Sequence, residues 1–118
     1  MPKILAVDRD RDALATLTRE LEKAGYEVKG ADSSSFALTM LEWDRPDLIV
    51  SQAQIDDMGG YELCSAIRSD PKTKDIRFLL LVGPSGPTPG AAARAGIDMV
   101  LGGAFNPSDV VGSVKRLV

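Results

Sequence analysis

The sequence predicts an α/β domain, a doubly wound five-stranded parallel sheet with helices on both faces. Five short strand-like runs alternate with segments of helical periodicity, the pattern of successive βαβ units, whose crossovers are right-handed. The first, third and fourth runs are continuously apolar, as strands covered on both faces are. At 118 residues, 44% hydrophobic and 26% charged, the chain has the size and composition of one globular domain that folds alone.

The first strand is MPKILAV, ending at Asp8. Leu14, Leu17 and Leu21 then recur at helical spacing, with Asp10 as a candidate N-cap and Gly25 as a stop. YEVKGA, Tyr26 to Ala31, alternates like a second strand. Phe36, Met40 and Leu41 give the second helix an apolar face that closes before Pro46. LIVSQ, Leu48 to Gln52, is the third strand and runs into a polar, Gly-ended loop.

The third helix spans Tyr61 to Arg68 with Leu63, Cys64 and Ile67 inward. FLLLV, Phe78 to Val82, is the most hydrophobic strand and is expected to be central. GPSGPTPGAAARAG, Gly83 to Gly96, stands where the fourth helix belongs, but Pro84, Pro87 and Pro89 keep any full helix from starting before about Thr88. The fourth helix is therefore expected to be short or distorted, and a phosphate-cradling reading of this loop fails for want of a lysine after its glycine. Ile97 to Leu101 is the fifth strand. Asn106 as N-cap, Pro107 and Asp109 open a last helix that buries Val110, Val111, Val114 and Leu117.

Several functional classes are excluded at once. One cysteine and no histidine rule out a disulfide framework, a Cys/His zinc site and every histidine-based triad. Cys64, inside a helical apolar pattern with no partner base, reads as a buried structural thiol. A net charge of −3 with scattered basic residues lacks the footprint of a nucleic-acid binder. The apolar runs are far shorter than a membrane span, and with no signal peptide the expected location is cytoplasmic.

In an open parallel sheet the site lies at the carboxyl ends of the strands, here Asp8 and Arg9, Gln52, Val82 and Gly83, and Gly102 to Ala104. Laid out this way, the chain resembles a response-regulator (CheY-like) receiver domain of two-component signalling over its whole length. ILAVDRD is similar to the first-strand acidic motif, RPDLIV to the third strand, GGYELCSAIRSD to the third helix, AGIDMVL to the approach to the fifth strand and FNPSDVVGSVKRL to the last helix. The resemblance implies a flavodoxin-like fold. It also implies a phosphoacceptor aspartate at the end of the third strand, a Mg²⁺ held by that aspartate and an acidic pair, a Thr or Ser after the fourth strand and a lysine after the fifth.

Carried onto this sequence, the acceptor position is Gln52, the acidic pair is Asp8 followed by Arg9, the hydroxyl position is Val82 and the lysine position is Gly103, followed by Ala104 where a proline is usual. An amide oxygen is no useful nucleophile toward phosphorus, and a hard dication wants several anionic oxygens. The expected site is therefore a degenerate pocket of Asp8, Arg9, Gln52, Val82 and Gly103, with no catalytic residue, no metal and no cofactor. Asp8 is expected to bond nearby backbone amides or pair with Arg9, and Gln52 to plug the pocket by hydrogen bonding. Asp56 and Asp57 are ordinary turn acids in DDMGG and not substitute acceptors.

Trp43 is expected to be half-buried packing, Lys115 and Arg116 a solvated face suited to a helix C-terminus, and Phe105 a core anchor for the fifth strand. Receivers commonly dimerise through the fourth helix, fifth strand and fifth helix, and the prolines before the fourth helix place that dimer in doubt. The leading reading is a pseudo-receiver, cut from the N-terminus of a longer regulator, that docks a protein partner or a downstream output domain without phosphorylation. It is not an enzyme. The alternative is a small-ligand or nucleotide-binding flavodoxin-like domain that uses the altered pocket.

Overall fold

A computed structural model describes residues 2–54, 58–83, 90–103 and 106–118. Five strands, β1 (Lys3–Val7), β2 (Glu27–Ala31), β3 (Leu48–Gln52), β4 (Arg77–Leu81) and β5 (Met99–Leu101), alternate with α1 (Arg11–Lys23), α2 (Ser34–Leu41), α3 (Gly60–Ser69), α4 (Ala91–Ala95) and α5 (Pro107–Leu117). All strand pairings are parallel, in the order β2-β1-β3-β4-β5. This is the predicted doubly wound, flavodoxin-like sheet. The strand FLLLV is interior, paired to β3 and β5, and β3 takes the middle place.

The two-residue period of the strands builds two cores from one sheet. Leu5, Val7, Ile49, Phe78 and Leu80 face one way, against Leu63, Cys64 and Ile67 of α3 and Ala95 of α4. Ile4, Ala6, Leu48, Val50, Leu79 and Leu81 face the other, against Leu17 and Leu21 of α1 and Val110 and Val114 of α5. Each fully buried Leu, Ile or Phe contributes roughly 1.5–3 kcal/mol, which is why strands apolar on both faces hold the middle of the sheet.

The helix ends follow the side chains that cap them. Asp10 accepts from the amides of Asp12 and Ala13 at 3.0 and 3.2 Å and starts α1, and Gly25, at φ +100°, lets the chain leave after Ala24. Asn106 and Asp109 form a reciprocal capping box at α5, each accepting the other's backbone N–H at 3.0 Å. α4 has five residues between Gly90 and Gly96, both at positive φ, in keeping with the short helix predicted. Pro84, Pro87 and Pro89, the acids Asp56 and Asp57, and Ala104 and Phe105 lie outside the described residues, so the expectations placed on them are not addressed.

Three expectations are corrected. The inner face of α2 is led by Ser34 and Ala37, with Leu38, Met40 and Leu41 packed against the core, while Phe36 is 50% exposed. Small residues let α2 sit low on the sheet, which rolls Phe36 outward. Trp43 is not half-buried: it lies past the end of α2, its backbone N–H donating to the Met40 carbonyl, and is 86% exposed. The fifth strand is shorter than Ile97–Leu101: the Ile97 amide still bonds to the Ala92 carbonyl of α4, the Asp98 amide makes the first bond to β4 at the Phe78 carbonyl, and paired residues run only from Met99 to Leu101. Among the described residues no helix is long and apolar enough to cross a membrane.

One clamp was not foreseen. The Arg68 guanidinium donates to the carbonyls of Gly96, Lys74 and Ile76 and, at 2.8 Å, to the Asp98 carboxylate, which also accepts the Phe78 amide at 2.8 Å. The end of α3, the start of β4 and the turn into β5 are thereby joined through one planar cation.

α3 also approaches the sheet closely. A Cβ on Gly60 would lie 2.5 Å from the Gln52 carbonyl oxygen and 2.6 Å from Leu80 Cδ1, whereas one on Gly112 in α5 would meet nothing within 4 Å. Gly60→Ala should therefore destabilise the fold by about 1–3 kcal/mol, and Gly112→Ala should stabilise it by roughly 0.5–1 kcal/mol. Urea unfolding of the two variants measures both, and the opposite signs test the packing of α3 directly.

Candidate functional site

The first three strands bring Asp8 and Gln52 together at their carboxyl ends. Asp8 follows β1, whose Val7 is paired with Ser51, so Gln52 is the next residue of β3 beside it. Asp8 is 5% exposed. Its backbone N–H donates to the Ala31 carbonyl at 3.1 Å, and its carboxylate accepts the Asp10 amide at 2.9 Å and a hydrogen bond from the Gln52 side chain. Burial pushes the Asp8 carboxyl above its ordinary range, and the negative charge of Asp10 adds to that. The Asp10 amide, Gln52 and Arg9 pull the other way, with Arg9 the weakest of these. Asp8 thus bonds a backbone amide, as expected, and the exposed Arg9 contributes little to its charge balance.

Gln52 is held from behind as well. Its carbonyl accepts the Ser51 hydroxyl at 2.9 Å and stands against Gly60, while the next amide, Ala53, donates to the Leu81 carbonyl at 2.8 Å. A cavity of about 300 Å³ opens beside the pair, lined by Asp8, Gln52, Asp12, Thr16, Leu81 and Asn106 among others. Asp12 and Thr16 are four apart on α1 and so share a helix face, a spacing that could have flagged them in the sequence. The other positions in the predicted pocket do not converge on it. Val82 is 2% exposed within the core on the α3 side, and Gly103 is exposed at φ +79° with open space where a Cβ would stand.

The resemblance implies Mg²⁺ here, and the donor set does not fit it. A hard dication takes about six oxygens, several of them anionic. Asp8 Oδ1 accepts the Asp10 amide, and Asp10 turns its Oδ1 onto the first amides of α1, with an arginine, Arg9, between the two acids in sequence. Among the described residues no group of three His, Cys, Asp or Glu side chains is placed to hold a metal. Covalent thiol chemistry finds no better footing, since burial raises the Cys64 thiol to about 11.

The sign of the Asp8 shift fixes a pH dependence. A carboxyl whose pKa is higher folded than unfolded destabilises the fold while ionised, and that penalty fades as pH falls through the raised value toward 3.8. Asp8→Asn keeps an acceptor for the Asp10 amide and removes the buried charge. Thermal melts should show the variant several degrees more stable than the parent at pH 7, with the gap narrowing toward pH 4.

Comparisons with known proteins agree with this geometry. A family model described as "Response regulator receiver domain" matches residues 4–115. Response regulator MprA of Mycobacterium leprae is 32% identical over 117 residues, which cover 98% of this chain and 50% of that protein. The alkaline phosphatase synthesis transcriptional regulatory protein PhoP of Bacillus subtilis is 28% identical, covering 98% of this chain and 48% of its own length. The chain spans about half the length of these two relatives, and 6% of adventurous-gliding motility protein Z of Myxococcus xanthus, which is 32% identical over 84 residues.

Among solved structures, the chemotaxis response regulator CheY4 of Vibrio cholerae superposes with a TM-score of 0.91 at 28% identity, covering 100% of this chain and 99% of that one. Response regulator TrrA of Thermotoga maritima, solved in complex with Mg(2+)-BeF, gives 0.87 at 27% identity with 100% coverage of both. The strand order, the Asp8 site at the mouth of the sheet and a family match over nearly the whole chain converge: this chain belongs to the response regulator receiver domain family.

Proposed function

We propose that this chain is a pseudo-receiver of two-component-type signalling, a phosphorylation-independent module that binds a protein partner or an output domain. The observation that carries the reading is the register that sets Gln52 beside the buried Asp8 at the carboxyl ends of β3 and β1. On this reading Gln52 is a neutral amide at the position that resembles the family's phosphoacceptor, beside Asp8, the one acid left of the acidic pair. Val82 in place of a hydroxyl and Gly103 in place of the lysine support the same reading. On it the domain is not an enzyme, Asp8 and Gln52 are what remains of a degenerate site to which Arg9, Val82 and Gly103 bring no catalytic group, and Mg²⁺ is no part of the mechanism. The relatives named as regulators are about twice as long, which supports a place for residues 1–118 as one module of a longer cytoplasmic regulator.

A second reading, a small-ligand site, is favoured by the cavity of about 300 Å³ beside Asp8 and Gln52, at the lower end of the range for ligand pockets of roughly 300–1,000 Å³. A thermal-shift screen separates the two, because a saturating ligand raises stability by RT ln(1 + [L]/Kd).

The direct test is incubation with acetyl phosphate and Mg²⁺ followed by intact mass measurement. The parent protein should gain no phosphoryl group, and titration calorimetry with Mg²⁺ should show no saturable heat. A phosphoryl group mapped to any aspartate, or a one-site Mg²⁺ isotherm lost in Asp8→Ala, would overturn the reading.

Gln52→Asp alone should also stay unphosphorylated. The new carboxylate would lie against Asp8 with Arg9 as the nearest added cation and Gly103 in place of a lysine. Loss of one transition-state donor costs roughly 3–4 kcal/mol, about 100- to 1,000-fold in rate, and here both metal and lysine are missing. Stoichiometric labelling at position 52 would mean that the pocket retains what the proposal says it has lost.

A further inference from the structure

The large hydrophobic side chains exposed among the described residues are Phe36, Trp43 and Val118. Phe36 sits on α2, and Trp43 follows two residues after its end, beside the sheet edge formed by β2. Next to Trp43 opens a cleft of about 120 Å³ with apolar walls of Leu5, Met40, Pro46 and the indole itself. Its rim carries Lys3, Lys29, Glu27 and Asp44. Lys3 Nζ and Lys29 Nζ bind the two oxygens of Asp44 at 3.1 and 2.9 Å, so the rim is held in place across the mouth of the cleft.

Size decides what such a cleft takes. Ligand pockets run to roughly 300–1,000 Å³, whereas a cavity near 150 Å³ holds a single benzene-sized ring. At about 120 Å³ the cleft is too small for a cofactor and admits only part of a side chain, such as one ring edge of an aromatic, and aromatic side chains are the usual anchors of protein interfaces.

Charge decides whose side chain it is. Two lysines oppose two carboxylates on the rim, so the patch has no net charge with which to attract a strongly acidic or basic partner. For the same reason it can face a copy of itself without repulsion. A two-fold interface must supply knob and hole from one patch, and here the knob, Trp43, stands beside the hole. We propose that the face carrying Trp43 and this cleft is a homodimer interface, in which the indole of each copy lies across the mouth of the other's cleft and seats one ring edge in it. This does not depend on whether the Asp8 site is phosphorylated.

Trp43 is the sole tryptophan of the chain, so its fluorescence reports on the patch alone. In a dilution series of the 118-residue protein from about 1 µM to about 1 mM, sedimentation should show the mass rising from 12.6 kDa toward twice that value. The indole emission should shift to shorter wavelength over the same concentration range. Trp43→Ala should weaken self-association by about thirtyfold or more and, with the side chain exposed, leave the far-UV circular dichroism unchanged. Lys29→Glu, which sets three carboxylates against one lysine on each rim, should weaken it too, most at low salt. A chain that stays monomeric throughout, a dimer that forms without a shift in emission, or one indifferent to both substitutions would overturn the proposal.

Discussion

Between Asp8 and Gln52, a carboxylate that is 5% exposed accepts a side-chain amide and a backbone amide in place of water, and the mouth of the sheet is arranged around that requirement. An unsatisfied buried ion costs several kcal/mol, so the Gln52 amide has to be held where it is. The Ser51 hydroxyl on its carbonyl and the Ala53 amide on Leu81 hold the backbone at that point. α3 then begins against the same carbonyl, which only a glycine at position 60 allows. The position of α3, and through Arg68 that of the turn into β5, follows from how the end of β3 is fixed.

The sheet was legible because its signals are local and strong. Apolar runs of strand length bounded by polar turns leave few alternatives, and Leu17, Leu21, Val110 and Val114 fall inward at helical spacing as expected. Asp10, Asn106 and Asp109 announce helix starts because a short acceptor before an apolar pattern has an N-terminal amide to satisfy. The bond from a backbone amide to Asp8 was legible for a related reason: buried polar groups find partners.

What stayed hidden depends on distances across the chain. Arg68 reaches Gly96 and Asp98, 28 and 30 residues away, and nothing in GGYELCSAIRSD distinguishes it from a solvated helix-end cation. Phe36 reads as core because it is large and apolar, yet Ser34 and Ala37 win the inner face by being small enough for α2 to pack closely. Trp43 was assigned to packing for the same reason, and the helix ends before it can be covered. In each case residue chemistry was read correctly and the neighbour that competes for the position was invisible.

The site and the exposed face of α2 are connected. The Ser34 hydroxyl donates to the Met58 carbonyl at 2.7 Å, tying the first turn of α2 to the loop that leaves Gln52 and enters α3. A switch requires a ligand or modification that favours one of two arrangements, and it shifts their populations only by its differential interaction energy. On the proposed reading, no charge appears at Gln52 to supply that difference, because its amide is already committed to Asp8. The bond between Ser34 and Met58 then serves to hold α2 in a single position and keeps the Trp43 face permanently presented. Occupancy of such a face is set by the concentration of whatever binds it, so control passes from chemistry at the strand ends to the abundance of the partner.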